Sequence, residues 1–200
     1  SWQSTLRYDV PNYTNINYPF PVDPPYLPSE NPAGLYIRDF DCTLSEDSTI
    51  LVFEGVSSSF YVFLNDAFVG YSEVSHMTSE FKITDKLVVG KNTIKVLVFK
   101  WCDGSYLECQ DMFRMSGIFR DVYVLTRAQA HLFDYTVKTL LSDDLSGAEL
   151  CVTLETAGMP ETACELLDAE GCVVAAGKAQ DGRFCCMLDQ PHLWSAESPY

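Results

Sequence analysis

From Leu35 onward, apolar and polar positions alternate with a period close to two. The stretches "LYIRDFDCTL", "STILVFEGV", "SFYVFLN", "AFVGYSE", "FKITDKL" and "NTIKVLVFKW" are rich in Val, Ile, Phe and Tyr, the composition of half-buried strands. Asn65-Asp66 separates two of them as a hairpin turn would, and "VGKN" over 89–92 supplies another turn. No stretch holds helical periodicity over three turns. Strands at this spacing, punctuated by Gly, Asn and Asp, predict an all-β sandwich. Ahead of them, "YPFPVDPPYLPSENPAG" carries Pro19, Pro21, Pro24, Pro25, Pro28 and Pro32. Proline at this density forbids a helix and favours an extended strap. Its aromatic residues place that strap on the body of the fold.

The pattern breaks near Thr126-Arg127-Ala128, after "DVYVLTR", which reads as a closing strand. A second series follows: "HLFDYTVKTLL", "AELCVTLE", "ACELLDAEGCVVAAG" with a turn at 169–171, and "GRFCCMLD". We therefore expect one domain over 1–127 and a second over 128–200. The second series has the spacing of an immunoglobulin-like sandwich, but offers four or five strands where about seven are expected. It reads as truncated. Open sheet edges and uncovered apolar faces then lead us to expect self-association.

Composition narrows the function classes. Hydrophobic residues make up 47% and charged ones 20%, an ordinary globular balance. The net charge of -15, from 13 basic and 28 acidic residues, argues against nucleic-acid partners and against anionic membranes. No run approaches the ~18 apolar residues of a membrane helix, and no signal peptide is visible, so we expect a cytoplasmic protein. The eight cysteines contain no C-x-x-C pair and read as buried free thiols in a reducing compartment. His76, His131 and His192 are scattered, without partners at metal or triad spacing. Ser105 and Ser116 lack a nearby histidine and are not nucleophile candidates.

One stretch stands apart. "DGSYLECQDMFRMSGIFRD", from Asp103 to Asp121, puts acids, aromatics and two arginines between strand-like runs. Such charges are costly to bury unless paired. Read by itself, the loop has Glu108 and Asp111 as ion-pair partners of Arg114 and Arg120. By the same reading Trp101 and Tyr106 are packing anchors, with stacking on a sugar face as the other use of such rings. Asn15, in "YTNINYP", reads as a turn or strand-edge residue whose side chain caps local backbone.

The longer run "DGSYLECQDMFRMSGIFRDVYVL" resembles the sugar-binding-domain signature of glycoside hydrolase family 2. Three further stretches agree with the large bacterial β-galactosidases of that family: "YTNINYPFPVDPPYLPSENPAGLY", "FEGVSSSFYVFLNDAFVGYSE" with "SEF" beyond it, and "LWSAESPY". Glucuronidase and mannosidase relatives share the "GIFRDV"-like strand but not usually the "YLExQDM" approach to it. Phe113 stands where the family commonly has Trp, and Cys109 where it often has an acid.

The resemblance implies a jelly-roll (galactose-binding-like) sandwich, then an immunoglobulin-like one, and beyond this chain a TIM barrel holding the two catalytic glutamates. No catalytic residue is then expected here. Instead, Asp111 and Asn15 are implied to contact the galactosyl group of a β-galactoside such as lactose, with Asp111 also ligating sodium. Magnesium would belong to the catalytic domain. Two other readings stay open: a stand-alone carbohydrate-binding module, and a family 2 glycosidase of another specificity.

Overall fold

In the computed structural model of the chain, residues 2–43, 48–158 and 160–199 are described. Leu44, the end of the first predicted strand, and Tyr200, the end of the second predicted domain, lie outside them. The structure is all-β, with 51% strand and 5% helix. It divides into two compact units, Ser1–Arg127 and Ala128–Tyr200.

Among its described residues the first unit has a helical turn, α1 (Trp2–Thr5), followed by eleven strands. They are β1 (Asn12–Tyr13), β2 (Ala33–Cys42), β3 (Ser48–Phe53), β4 (Val56–Ser57), β5 (Ser59–Leu64) and β6 (Ala67–Ser72). Then come β7 (Ser79–Lys82), β8 (Gly90–Phe99), β9 (Phe113–Arg114), β10 (Gly117–Ile118) and β11 (Val122–Arg127). A four-stranded sheet runs β2-β8-β5-β6 and a three-stranded one β11-β3-β7. Alternation sends Ile94, Val96 and Val98 of β8 and Phe60, Val62 and Leu64 of β5 to one face. There they meet Leu51 and Phe53 of β3 in one buried cluster, so the two sheets form a sandwich.

Two turns show how local chemistry closes this sandwich. Asn65 and Asp66 both adopt positive φ, at 50° and 65°, the backbone a tight hairpin between β5 and β6 requires. Asn92 is fully buried, yet its amide is satisfied. It accepts from the Val88 N–H at 2.9 Å and from Asn65 Nδ2 at 2.9 Å, and donates to the Val88 and Gly90 carbonyls. "FKITDKL" departs from expectation. Only its start is strand, and Thr84–Lys86 forms a single 3₁₀ turn. The cause is Thr84, whose hydroxyl accepts the Thr49 N–H at 2.8 Å in place of a ladder partner, while Ile83 sinks wholly into the core.

The second unit contains β12 (His131–Leu141), β13 (Gly147–Ala157), β14 (Ala163–Leu167), β15 (Val173–Lys178) and β16 (Arg183–Asp189). They form a sheet β12-β13-β16 and a hairpin β14-β15 around the turn at Gly171, which has φ 81°. One sequence expectation is corrected here. The β13–β16 register sets Cys151 opposite Cys185 with Cα atoms 4.2 Å apart, and the two form a disulfide. Of the other six cysteines only Cys102 is buried, so burial does not explain them as a group.

Along β12, Leu132, Phe133, Tyr135, Val137, Leu140 and Leu141 are all exposed, on both faces of a sheet edge. Edges and patches of this kind favour pairing with another chain. We expect the 200-residue chain to self-associate in a concentration-dependent way. Light scattering across a dilution series should show mass rising with concentration. A monomer throughout, with strong hydrogen-exchange protection along 131–141, would show that this edge is closed within one chain.

Candidate functional site

The strap is fastened to the charged loop by an antiparallel match of two short strands, Asn12 with Arg114 and Tyr13 with Phe113. Asn15 follows two residues after this pairing, in a bend, and Asp111 stands two residues before it on the other side. The fastening is centred on Arg114, which is only 6% exposed. Its Nε donates to Thr14 Oγ1 at 3.0 Å and its Nη1 to the Ser105 carbonyl at 2.8 Å, and its guanidinium lies over the Tyr18 ring. The Tyr18 hydroxyl donates to the Tyr106 carbonyl, and the Tyr106 hydroxyl donates to the Tyr26 carbonyl at 2.6 Å. Phe20 is buried edge-on against Trp101 and Tyr106. Farther along, the Asn31 amide accepts from the Trp101 N–H and donates to the Trp101 carbonyl. Trp101 and Tyr106 are thus packing anchors, and the proline-rich segment is held by side chains because prolines cannot donate to a ladder.

The base of the loop is fixed by a half-buried ion pair. Lys100 Nζ donates to Asp9 Oδ1 at 2.7 Å and Ser116 Oγ to Asp9 Oδ2 at 2.6 Å. Burial pushes the Asp9 carboxyl upward, but the bonds from Lys100 and Ser116 together outweigh it and hold its pKa below the usual carboxylate value.

At the tip, Cys109 and Asp111 take left-handed φ values of 56° and 53°. Aspartate visits that region more readily than most residues, cysteine less so. The two reversals leave Gln110, Asp111, Met112 and Phe113 exposed while Arg114 turns inward. Glu108 braces the turn, accepting from the Ser75 N–H and Oγ, each at 2.8 Å. Cys109 Sγ lies 3.6 Å from His76 Nε2, and burial raises the thiol pKa despite the nearby Arg114 charge.

Asp111 itself is held by a residue from the strap. The Tyr13 hydroxyl donates to Asp111 Oδ1 at 2.5 Å, and the Tyr13 ring packs 5.5 Å from Phe113. The bond to the carboxylate raises the Tyr13 phenol pKa. Asn15 sits exposed in the bend after β1, and among the described residues its side chain caps no local backbone. The expected ion pairing within the loop gives way to neutral partners. Glu108 takes Ser75 and Asp111 takes Tyr13, while Arg120 Nη1 donates to the Glu54 and His76 carbonyls. Arg120 approaches so closely because residue 55 is glycine; a Cβ there would lie 2.9 Å from Arg120 Cδ and 2.8 Å from the Phe119 ring.

The arrangement is a solvent-facing carboxylate held by a tyrosine hydroxyl beside two aromatic rings, with an exposed amide on the strand-end that leads away from it. Carboxylate and amide oxygens accept hydroxyl hydrogen bonds, and ring faces suit the apolar face of a sugar. A carboxylate oxygen is also a hard ligand suited to an alkali cation. Tyr13, which orients Asp111, escaped sequence reasoning. It lies within the "YTN" stretch, but nothing local in the sequence links it to a residue 98 positions away.

A family model described as glycosyl hydrolases family 2, sugar binding domain, matches residues 1–128. The chain belongs to this family. A β-galactosidase of Actinobacillus pleuropneumoniae is 45% identical over 200 residues, and one of Staphylococcus xylosus 46% identical over 198. The matches cover 100% and 96% of this chain but 20% of each relative, so it spans about a fifth of their length. Among solved family 2 glycosidases, an FMN-binding β-glucuronidase from Facaelibacterium prausnitzii superposes over 83% of this chain and 28% of its own, with TM-score 0.72 and 19% identity. β-Glucuronidase 3 of Bacteroides uniformis covers 83% and 23%, with TM-score 0.69 and 16% identity. At those identities the likeness concerns the fold.

Proposed function

We propose that this chain is the sugar-binding part of a larger retaining β-galactosidase and lends Asp111 and Asn15 to a galactosyl pocket completed by a TIM barrel. The observation that carries this reading is the Tyr13–Asp111 bond. It holds an exposed carboxylate at a loop tip, and among the described residues that carboxylate serves no ion pair. In a retaining hydrolysis, two carboxylates about 5–5.5 Å apart flank the glycosidic bond, one as acid/base and one as nucleophile. The barrel would supply them. The role of this chain is to hold the galactosyl hydroxyls in the orientation that reaction needs.

Sodium fits the same carboxylate by donor chemistry. Asp111 offers a hard oxygen, and the remaining ligands would come from outside the chain. A bound sodium ion would supply a fixed positive charge that orients sugar oxygens. Among the described residues Asp111 belongs to neither cluster of three closely spaced acidic, thiol or imidazole groups, so it would be one ligand of a shared shell.

The test is a chimera in which this chain replaces the matching part of a β-galactosidase relative. Turnover of β-galactosides that depends on Asp111 and on sodium supports the reading. Full activity with Asp111 replaced removes this loop from the pocket. By itself, the 200-residue chain should hydrolyse no chromogenic galactoside, as measured on material freed of host enzyme. Turnover that scales with the purified chain would contradict that. At the Asp111 edge it should hold galactose weakly, since a part-built site lacks preorganisation. Calorimetric affinity tighter than about 100 μM, lost on replacing Asp111, would favour the stand-alone binding module instead.

A further inference from the structure

The outer face of the four-stranded sheet carries an aligned apolar row. Leu35, Leu97, Tyr61 and Tyr71 are cross-strand partners on β2, β8, β5 and β6 in turn. The next row is Ile37, Lys95, Phe63 and Phe68. Tyr61 and Tyr71 are 38% and 43% exposed, on the face opposite the buried positions Phe60, Val62, Val96 and Val98. At the loop end of this face an open cavity of about 360 Å³ lies between the strap and the sheet. The strap contributes Pro25 and Leu27, the sheet contributes Ser59, Tyr61 and Tyr71, and Asp103 stands at the rim.

Its chemistry is mixed in a specific way. The Tyr61 and Tyr71 rings lie 4.8 Å apart, tilted at 50° to one another, with Phe99 edge-on to Tyr61. The Tyr71 hydroxyl donates to Glu73 Oε2 at 2.8 Å. Carboxylate oxygens of Glu73 and Asp103, with the Cys102 sulfur, lie within 4.8 Å of one another. Exposed π-faces therefore sit beside closely spaced acceptors, and the volume is within the ~300–1,000 Å³ of small-molecule sites.

We propose that this cavity is a second carbohydrate site, which takes a neutral pyranoside with its C–H face on Tyr61 and Tyr71 and its hydroxyls on Asp103. An anionic ligand would meet the carboxylates and a net charge of -15. A purely apolar ligand would strip water from those carboxylates without replacing it. A quaternary ammonium ion, held best when rings enclose it on several sides, is the competing occupant that the experiment must separate. The cavity shares no lining residue with the Asp111–Asn15 edge, so the two readings fail separately.

The experiment uses the 200-residue chain with methyl β-D-galactopyranoside and a β-linked galacto-oligosaccharide. Saturation-transfer and amide-shift titrations should give a dissociation constant of about 1–10 mM, the weak end of the affinity scale, as suits an open cavity. Shifts should centre on Tyr61, Tyr71 and Asp103. Tyr61→Ala should weaken binding about tenfold by removing one ring of the pair. Tyr71→Phe keeps the ring and should leave binding within about threefold. Asp103→Asn, at an exposed position that leaves the fold in place, should weaken it about threefold. Asp111→Asn should leave the shifts at Tyr61, Tyr71 and Asp103 unchanged, whatever it does to binding at its own edge. No transfer to either sugar overturns the proposal. So do binding that survives Asp103→Asn and a folded Tyr61→Ala, loss of those shifts with Asp111→Asn, and tighter binding of tetramethylammonium than of galactoside.

Discussion

Asp111→Asn, placed in a β-galactosidase chimera that carries this chain, should lower galactoside turnover about 30- to 1,000-fold. Asparagine keeps the shape and can still accept the Tyr13 hydroxyl, which now reaches Oδ1 at 2.5 Å. It loses the negative charge. One or two charge-assisted bonds to sugar hydroxyls, at roughly 1.5–3 kcal/mol each, set that range when they strengthen toward the transition state. The fold should be untouched because Asp111 is exposed. Sodium dependence should weaken in parallel. Tyr13→Phe should cost less, about fivefold, because it frees the carboxylate to move without removing it. Steady-state kinetics at several sodium concentrations decide the matter. Unchanged kinetics and sodium response in a folded Asp111→Asn enzyme would take this carboxylate out of the pocket.

Arg114→Met should destabilise the first unit by about 2–4 kcal/mol. The side chain is nearly buried and ties Thr14 of the strap to the Ser105 carbonyl of the loop. Methionine fills much of the space but leaves both acceptors without that donor, and a buried unsatisfied group costs about 1–3 kcal/mol. A drop in thermal midpoint on the order of 10 °C follows for a unit of this size. Arg114→Lys should recover only part of it, since one ammonium cannot serve the two acceptors in the same geometry. Hydrogen exchange adds a local readout. The amides of Tyr13 and Phe113 should exchange faster in Arg114→Met, because their pairing rests on that clamp. A midpoint within 1–2 °C of the parent protein, about the spread of a neutral surface change, would show that the strap is held by its aromatic contacts instead.

These two residues also mark where sequence reasoning stopped. Asp111 was legible as a site residue through its surroundings in "YLECQDM", which resemble a family signature. Its partner was not. The sequence offered Arg114 and Arg120 as partners by charge, and opposite charges in one loop are a reasonable guess. The folded loop prefers neutral acceptors for both arginines, because Arg114 turns inward to carbonyl and hydroxyl oxygens while Asp111 turns outward. Cys151 gives a second case. The alternation in "AELCVTLE" reads correctly as a strand, yet only the β13–β16 register puts Cys185 opposite it. A third is Asn31, an unremarked polar residue in a proline-rich run that bonds both backbone groups of Trp101.

What the sequence determined by itself was local and periodic. Alternating apolar residues specified the strands β2, β3, β5, β6, β8 and β11 to β16, because a strand's two faces repeat every two residues whatever its neighbours. Asn65-Asp66 specified its hairpin, since both residues tolerate the positive φ that such a turn needs. The change of pattern after Arg127 coincides with the boundary between the two compact units. The tertiary structure decided every contact that crosses the chain: Tyr13 on Asp111, Thr14 on Arg114, Ser75 on Glu108, and the tyrosine pair beside the strap. Each depends on which strands become neighbours and in what register. That choice is settled by burying one face of every strand at once, and no single segment of sequence carries it.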